Sequence, residues 1–130
     1  MQDDQAGPRR AMVLFAHGAR DPEWARPFEE LRRAVTYGSP GVIAELAYLD
    51  LMKPTLEEAV TSLAARGITH VTVVPVFFGQ GGHLKRDLPA IVETLRSVHP
   101  ALTIDITPAI GEQPAVISAI AACVTSLAKS

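Results

Sequence analysis

The sequence predicts an α/β fold, a three-layer sandwich in which a four-stranded parallel sheet carries helices on both faces. Apolar runs without alternation are typical of strands buried on both faces, and segments with helical periodicity lie between them. The connections are short and rich in glycine and proline, which favours a parallel sheet with helical crossovers. The chain has 130 residues, so we expect a single domain over 11–130 after a flexible tail at 1–10.

The first half of the chain predicts two strands and the helix between them. Ala11–Ala16 is continuously apolar and predicts the first strand. Asp21 can cap a helix with Pro22 in its first position. Val42–Leu49 predicts a second strand, which Glu45 interrupts. The apolar face of the helix comprises Trp24, Phe28, Leu31 and Val35.

The second half repeats the pattern. Pro54 is expected to open a helix that Gly67 ends, and the β-branched run Val71–Phe78 is the clearest strand. A third helix should end before Pro100, and Leu102–Ile106 predicts the fourth strand. The predicted apolar faces are Leu56, Ala59, Val60 and Leu63 in the second helix, Leu88, Ile91, Val92, Leu95 and Val98 in the third, and Val116, Ile117, Ile120, Val124 and Leu127 in the last, where Cys123 is expected in the core.

Composition and charge disfavour several classes of partner. The net charge of −2 lacks the basic excess that binding to nucleic acid demands. The longest apolar runs are far shorter than the roughly 20 residues of a membrane helix, and Met1–Arg10 lacks the apolar stretch of a secretion signal. One cysteine permits no internal disulfide, which favours a reducing compartment such as the cytoplasm. We therefore expect neither nucleic acid nor membrane as a partner.

The residues just past the predicted strands are the candidate site, because ligands of such sheets bind outside the carboxyl ends of the strands. His17, Asp50 and His83 follow strands one, two and three. Imidazole with carboxylate suits divalent cobalt, nickel, iron or zinc. Each histidine could instead be a hydrogen-bonded loop residue, and Asp50 could be a cap or a solvated acid. His70 and His99 fall elsewhere and are interpreted as structural.

The glycine-rich loop before His83 has three interpretations. It can be a tight strand-to-helix turn, or Gly81 and Gly82 can leave space for a flat ligand to approach the backbone. A phosphate cradle is the third, but the nucleotide-binding glycine patterns are absent. We therefore expect no nucleotide cofactor.

Cations gather at the same predicted edge. They are Arg20, Lys53, Lys85 and Arg86. Either they form an ordinary solvated face, or they receive a polyanionic substrate despite the acidic net charge of the chain.

Three segments carry a family resemblance. A-H-G-A-R-D-P from Ala16, L-A-Y-L-D-L-M-K-P from Leu46 and P-V-F-F-G-Q-G-G-H-L-K-R-D-L-P from Pro75 resemble the short-form, CbiX-type sirohydrochlorin chelatases. The resemblance implies a chelatase-like fold, related to half of a longer flavodoxin-like chelatase, and a homodimer with sites facing a cleft between subunits. It also implies ATP-independent insertion of cobalt or iron, with nickel a further candidate, into a tetrapyrrole rich in carboxylates, in cobalamin or sirohaem synthesis without an organic cofactor.

The resemblance also implies roles for residues. His17 and His83 match the family's metal-binding histidines, whereas Asp50 stands where the family usually has glutamate. His17, His83 or Asp50 would accept the pyrrole protons. The cations Arg20, Lys53, Lys85 and Arg86 would anchor substrate carboxylates, and Gly81 and Gly82 would make room for the ring.

Two alternatives use the same residues. A phosphatase-like hydrolase would use His17 as nucleophile and Arg20 to hold phosphate, but the familiar signature has arginine directly before the histidine, and here Ala16 precedes it. A non-catalytic metal carrier or sensor would use both histidines and leave the cations without a purpose.

Overall fold

The structure, a computed structural model, confirms a four-stranded parallel sheet with helices packed against it, in the order β2-β1-β3-β4. Residues 9–79 and 81–129 are described, except for the side chains of residues 82 and 83. The strands are β1 Arg10–Ala16, β2 Val42–Tyr48, β3 His70–Pro75 and β4 Thr103–Ile106, and the helices are α1 Arg26–Gly38, α2 Leu56–Ala65, α3 Gly82–Val98 and α4 Pro114–Ala128.

The central strand β1 sets the position of the candidate site. It pairs in parallel with β2 on one side and β3 on the other, so that Phe15 lies opposite Ala47 and Pro75. The carboxyl ends of these three strands therefore meet at one edge of the sheet. His17 and Asp50, which follow β1 and β2, share that edge as predicted.

The two faces of the sheet are covered unequally. On one face, α2 and α3 pack against β1, β2, β3 and β4 in the larger apolar core, which includes Phe15, Leu63 and Leu88. On the other face, α1 and the preceding 3₁₀ turn Pro22–Ala25 cover a smaller cluster around Leu14 and Tyr48. Apolar side chains on both faces explain why the strands lack alternation in sequence.

Local capping signals fix two helix starts. The carboxylate of Asp21 accepts a hydrogen bond from the backbone N–H of Glu23, as expected of a cap before Pro22, but it caps the 3₁₀ turn Pro22–Ala25, and α1 itself begins at Arg26, four residues later than predicted. The prediction that Pro54 opens α2 was wrong by two residues. Thr55 is the cap, and it forms a reciprocal capping box with Glu58 that satisfies two backbone N–H groups.

Three predicted strands are shorter in the structure. β2 ends at Tyr48 rather than Leu49, β3 ends at Pro75 rather than Phe78, and β4 begins at Thr103 rather than Leu102. The backbone N–H of Val76 still donates to the carbonyl of Phe15, after which Phe77 and Phe78 turn away. A second 3₁₀ turn, Ile110–Glu112, approaches there so closely that a Cβ on Gly111 would lie 2.3 Å from the Phe78 backbone.

The last helix contradicts the expected core packing. No residue of α4 is buried, and Ile117, Ile120, Val124 and Leu127 are 42–71% exposed. The prediction that Cys123 lies in the core was wrong, because its side chain is exposed. Periodicity identifies an apolar face but not the partner that covers it. No helix in the described part of the chain is long and apolar enough to cross a membrane.

Candidate functional site

His17 is the best-defined member of the candidate site. It follows the last residue of β1, and its exposed ring lies over the ring of Phe77 with the centroids 4.2 Å apart and the planes inclined by 36°. Phe77 is buried and also makes an edge contact with Phe15 in the core. The imidazole is therefore set against a rigid aromatic surface, and neither of its nitrogens bonds to another described residue.

Asp50 is locked beside His17 through its backbone. Its N–H donates to the carbonyl of His17 at 3.0 Å, which extends the pairing of β1 and β2 past their ends. Gly18 has φ +91°, and a Cβ there would lie 1.9 Å from the carbonyl oxygen of Asp50. Only glycine fits this crossing without a shift of the backbone. One oxygen of the Asp50 carboxylate accepts a hydrogen bond from Leu51 N–H at 2.8 Å.

A cleft of about 510 Å³ opens between these loops and the start of α3, and it has apolar walls with polar groups at its mouth. A second cavity of about 350 Å³ adjoins it, because Leu49 and Asp50 line both. Together they form a groove from His17 to Lys53. The cleft is lined by His17, Leu49, Asp50, Gly81, Leu84, Asp87 and Ile91.

The predicted metal ligand His83 lies only partly within the description. Its backbone belongs to the first turn of α3, and its side chain lies outside the described part of the chain. Gly81 and Leu84, on either side of Gly82 and His83 in sequence, line the same cleft as His17. Within residues 9–79 and 81–129, leaving out residues 82 and 83, no group of three or more histidine, cysteine or acidic residues is placed to hold a metal ion.

The four predicted cations are all exposed. Arg20 follows His17 in the loop after β1, and Lys85 and Arg86 lie near the start of α3; none of the three forms an ion pair with a described residue. Lys53 differs, because its ammonium lies 2.9 Å from a carboxylate oxygen of Glu58. The hydrogen bond from the Thr55 backbone and then that from Lys53 lower the pKa of Glu58.

The other two histidines lie away from the cleft, as predicted. His70 begins β3 at the opposite edge of the sheet, where its ring Nε2 donates a hydrogen bond to a carboxylate oxygen of Asp105 at 2.8 Å. His99 caps the end of α3 and contacts the hydroxyl of Thr61 at 3.3 Å. Both histidines therefore have structural partners, and neither lines the cleft.

Sequence reasoning missed three features of the site. Phe77, which supports His17, was assigned to a strand rather than to the site. Leu49 lines the cleft, and Leu51 has φ +69°, a conformation that leucine rarely adopts. The sequence signals for this turn were Asp50 after the apolar run and Pro54 four residues later.

A family model described as CbiX matches residues 11–127. The chain belongs to the CbiX family. The structure of a CbiX protein from Marinobacter aquaeolei superimposes with a TM-score of 0.82 at 34% identity, covering 93% of this chain and 99% of that one.

Curated relatives are named sirohydrochlorin cobaltochelatase. The protein from Methanopyrus kandleri is 35% identical over 63% of this chain, and one from Saccharolobus islandicus is 35% identical over 62%. The matched regions cover 57% and 62% of those relatives. SirB from Bacillus subtilis subspecies spizizenii, whose structure holds cobalt, shares the fold with a TM-score of 0.78 at 23% identity, and 50% of it is covered.

Proposed function

We propose that this CbiX-family chain is a sirohydrochlorin chelatase that inserts divalent cobalt or iron into the macrocycle without ATP or an organic cofactor. The observation that carries the proposal is the exposed imidazole of His17, held on Phe77 at the mouth of a 510 Å³ cleft. The names of the curated relatives support the same reaction. Nickel is a third metal to be tested as substrate.

The chemistry requires a ligand that both holds and releases the ion. A neutral imidazole from His17, with His83 as the second proposed ligand, binds a borderline divalent ion and leaves most coordination positions open. Binding to the macrocycle expels two pyrrole protons for each divalent ion, so a proton acceptor is required. His17, His83 and Asp50 are the proposed acceptors, directly or through water.

Asp50 can combine two functions. One oxygen holds the turn through Leu51, and no described residue hydrogen-bonds the other oxygen. Asp50→Asn should keep the hydrogen bond to Leu51 and lose the base, so kcat should fall with the fold intact. Asp50→Ala should lose both, and Asp50→Glu tests the side chain usual in the family. Full activity in all three variants would exclude Asp50 from the chemistry.

The cationic side chains around the groove are proposed to anchor the substrate carboxylates. Arg20 and Arg86 suit bidentate contacts, whereas Lys53 and Lys85 act as point charges. Gly81 and Gly82 would admit the ring at the start of α3. Exposed cations of this kind also steer an anionic substrate toward the groove.

A metal-insertion assay tests the function directly. Protein is mixed with sirohydrochlorin and Co²⁺, Fe²⁺ or Ni²⁺, and the visible absorption of the ring is followed. We expect acceleration that His17→Ala abolishes and that His99→Ala leaves unchanged, since His99 lies at the opposite end of α3. No acceleration with any ion would refute the proposal, and metal binding without turnover would indicate a carrier.

We further propose a homodimer in which each α4 covers an open slot on the other protomer. The slot lies beside α1 on the thinly covered face of the sheet and has a volume of about 300 Å³. It is lined by Met12, Leu14, Leu31, Val35, Val74, Val76, Thr107, Ile110 and Gln113. An apolar helix with no buried residue and an apolar slot without a helix occur in the same chain.

Single substitutions test this interface. Ile120→Glu on α4 and Leu31→Glu in the slot place a charge in the proposed contact without disturbing a buried core residue. Either variant should shift the mass in light scattering from dimer to monomer, while Thr36→Glu, on another face of α1, should not. A wild-type monomer at micromolar concentration would contradict the proposal.

We also propose that the enzyme acts in the cytoplasm, consistent with its single free cysteine.

A further inference from the structure

Three exposed apolar side chains lie in the loops that follow β2 and β3, on either side of the strand that leads to His17, and none of them has a function in the proposals above. Leu49 and Leu51 follow β2, and Phe78 follows β3 next to the Phe77 that supports His17. They are 41%, 54% and 69% exposed. We call these three residues the apolar rim.

The position of the rim is specific. Among the described residues, the other large apolar side chains at least 38% exposed lie on α4, on α1 or at the end of α3. Leu49 lines both cavities of the groove, and Leu51 lines the second. The rim therefore belongs to the loops that follow β2 and β3, the two strands on either side of the strand that leads to His17.

The backbone at Leu51 is held in a strained conformation. Its φ of +69° is the only positive value at a non-glycine residue in the described part of the chain, and leucine rarely adopts this left-handed region because its Cβ comes too close to the following carbonyl oxygen. The Asp50 carboxylate accepts the Leu51 N–H, and Tyr48 N–H donates to the Pro54 carbonyl at 2.9 Å to close the loop at its base. Strain maintained by such contacts is typical of functional sites.

The surroundings of the rim define what it can bind. Lys53 lines the second cavity beside Leu49 and Leu51, while Arg20 lies three residues after His17 and Lys85 directly follows Leu84, which lines the cleft. A flat ring with apolar faces and a carboxylate fringe matches both features, whereas a small phosphorylated substrate would leave the leucines in water. On the basis of the proposed function, we infer that the apolar rim contacts the faces of the macrocycle and positions its nitrogens over His17.

These residues are positioning residues, so their replacement should raise KM more than it lowers kcat. Leu51→Asn removes the apolar side chain and keeps a residue that tolerates positive φ. Phe78→Ser alters the other side of the rim. In titrations of metal-free sirohydrochlorin followed by absorption, each variant should weaken binding about tenfold, equivalent to about 1.4 kcal/mol. The affinity for Co²⁺ alone should not change.

Val98→Asn is the matched control, because Val98 is 63% exposed at the far end of α3 and should leave both affinities unchanged. Circular dichroism and light scattering check fold and oligomeric state. Wild-type protein that neither binds nor metallates sirohydrochlorin would overturn the function and the rim together. If wild type turns over and both rim variants keep its KM, the proposed contact between the rim and the macrocycle is wrong while the proposed function stands. The same conclusion follows if the rim variants become monomers.

Discussion

At the scale of single residues, the site depends on close backbone contacts as much as on its reactive side chains. His17 and Asp50 lie side by side because Gly18 lets one loop cross the other and Phe77 supports the imidazole. The reactive residue types were predictable from their place after apolar runs. Their support was not, because a stacking contact or a backbone crossing between distant segments leaves no local pattern.

Gly18→Ala should disrupt this junction. The added Cβ would meet the Asp50 carbonyl at 1.9 Å, and alanine at φ +91° is strained, so we expect a loss of about 2–4 kcal/mol in unfolding free energy. Co²⁺ binding should weaken as His17 moves. Chemical denaturation and metal titration measure the two effects. Gly41→Ala is the control, since nothing lies within 4 Å of its added Cβ; equal behaviour of the two variants would contradict the prediction.

Tyr48 should make stability sensitive to alkaline pH. Burial, and then the negative charge of Glu29, raise the pKa of its hydroxyl above 10.0. The neutral phenol is favoured in the folded state, so its contribution to stability is present below pH 10 and is lost as the pH rises through the folded pKa. Between pH 8 and 11, the thermal unfolding temperature of wild type should therefore fall more steeply with rising pH than that of Tyr48→Phe. Parallel curves would show that ionisation of Tyr48 is not linked to unfolding.

At the scale of elements, periodicity predicted the strands and helices, and capping residues set their ends. The buried strand β1 and the stripe of α2 lie where the apolar pattern placed them. The ends of β2 and β3 were wrong because Leu49, Phe77 and Phe78 are apolar for reasons other than pairing in the sheet: they line the cleft, support His17 or lie exposed at the rim. Hydropathy alone does not distinguish these roles.

The capping box of α2 offers a test of the cation Lys53. Glu58→Gln keeps an oxygen that can accept from Thr55 N–H but removes the ion pair with Lys53. The freed ammonium should lower KM for the polycarboxylate by about twofold, as expected for an exposed charge. Lys53→Ala should raise KM in turn. Steady-state kinetics at low ionic strength measure both changes, and unchanged KM in both variants would remove Lys53 from the proposed anchors.

At the scale of the whole molecule, the folded chain leaves apolar surface exposed in two complementary places. The sheet face beside α1 is covered incompletely, and α4 projects its apolar side chains into solvent. Burial of such side chains is worth about 25 cal/mol per Å², so exchange of α4 between two copies would favour association strongly. The start of α4 also follows closely after Gly111. Gly111 packs on the backbone of Phe78, the residue that precedes the glycine-rich loop. In the proposed dimer, the helix that makes the contact would therefore be joined to the site through one short turn.

Mixing two defective variants tests whether the helix is exchanged. Ile120→Glu has an intact slot and a damaged helix, whereas Leu31→Glu has an intact helix and a damaged slot. In an exchanged dimer, one protomer of each kind restores one complete contact out of two, so an equimolar mixture should form dimers at concentrations where each variant alone is monomeric. Light scattering of the mixture, with one variant carrying a fluorescent label, measures this directly. If α4 contacted only the α4 of its partner, the slot variant would stay dimeric alone and mixing would restore nothing.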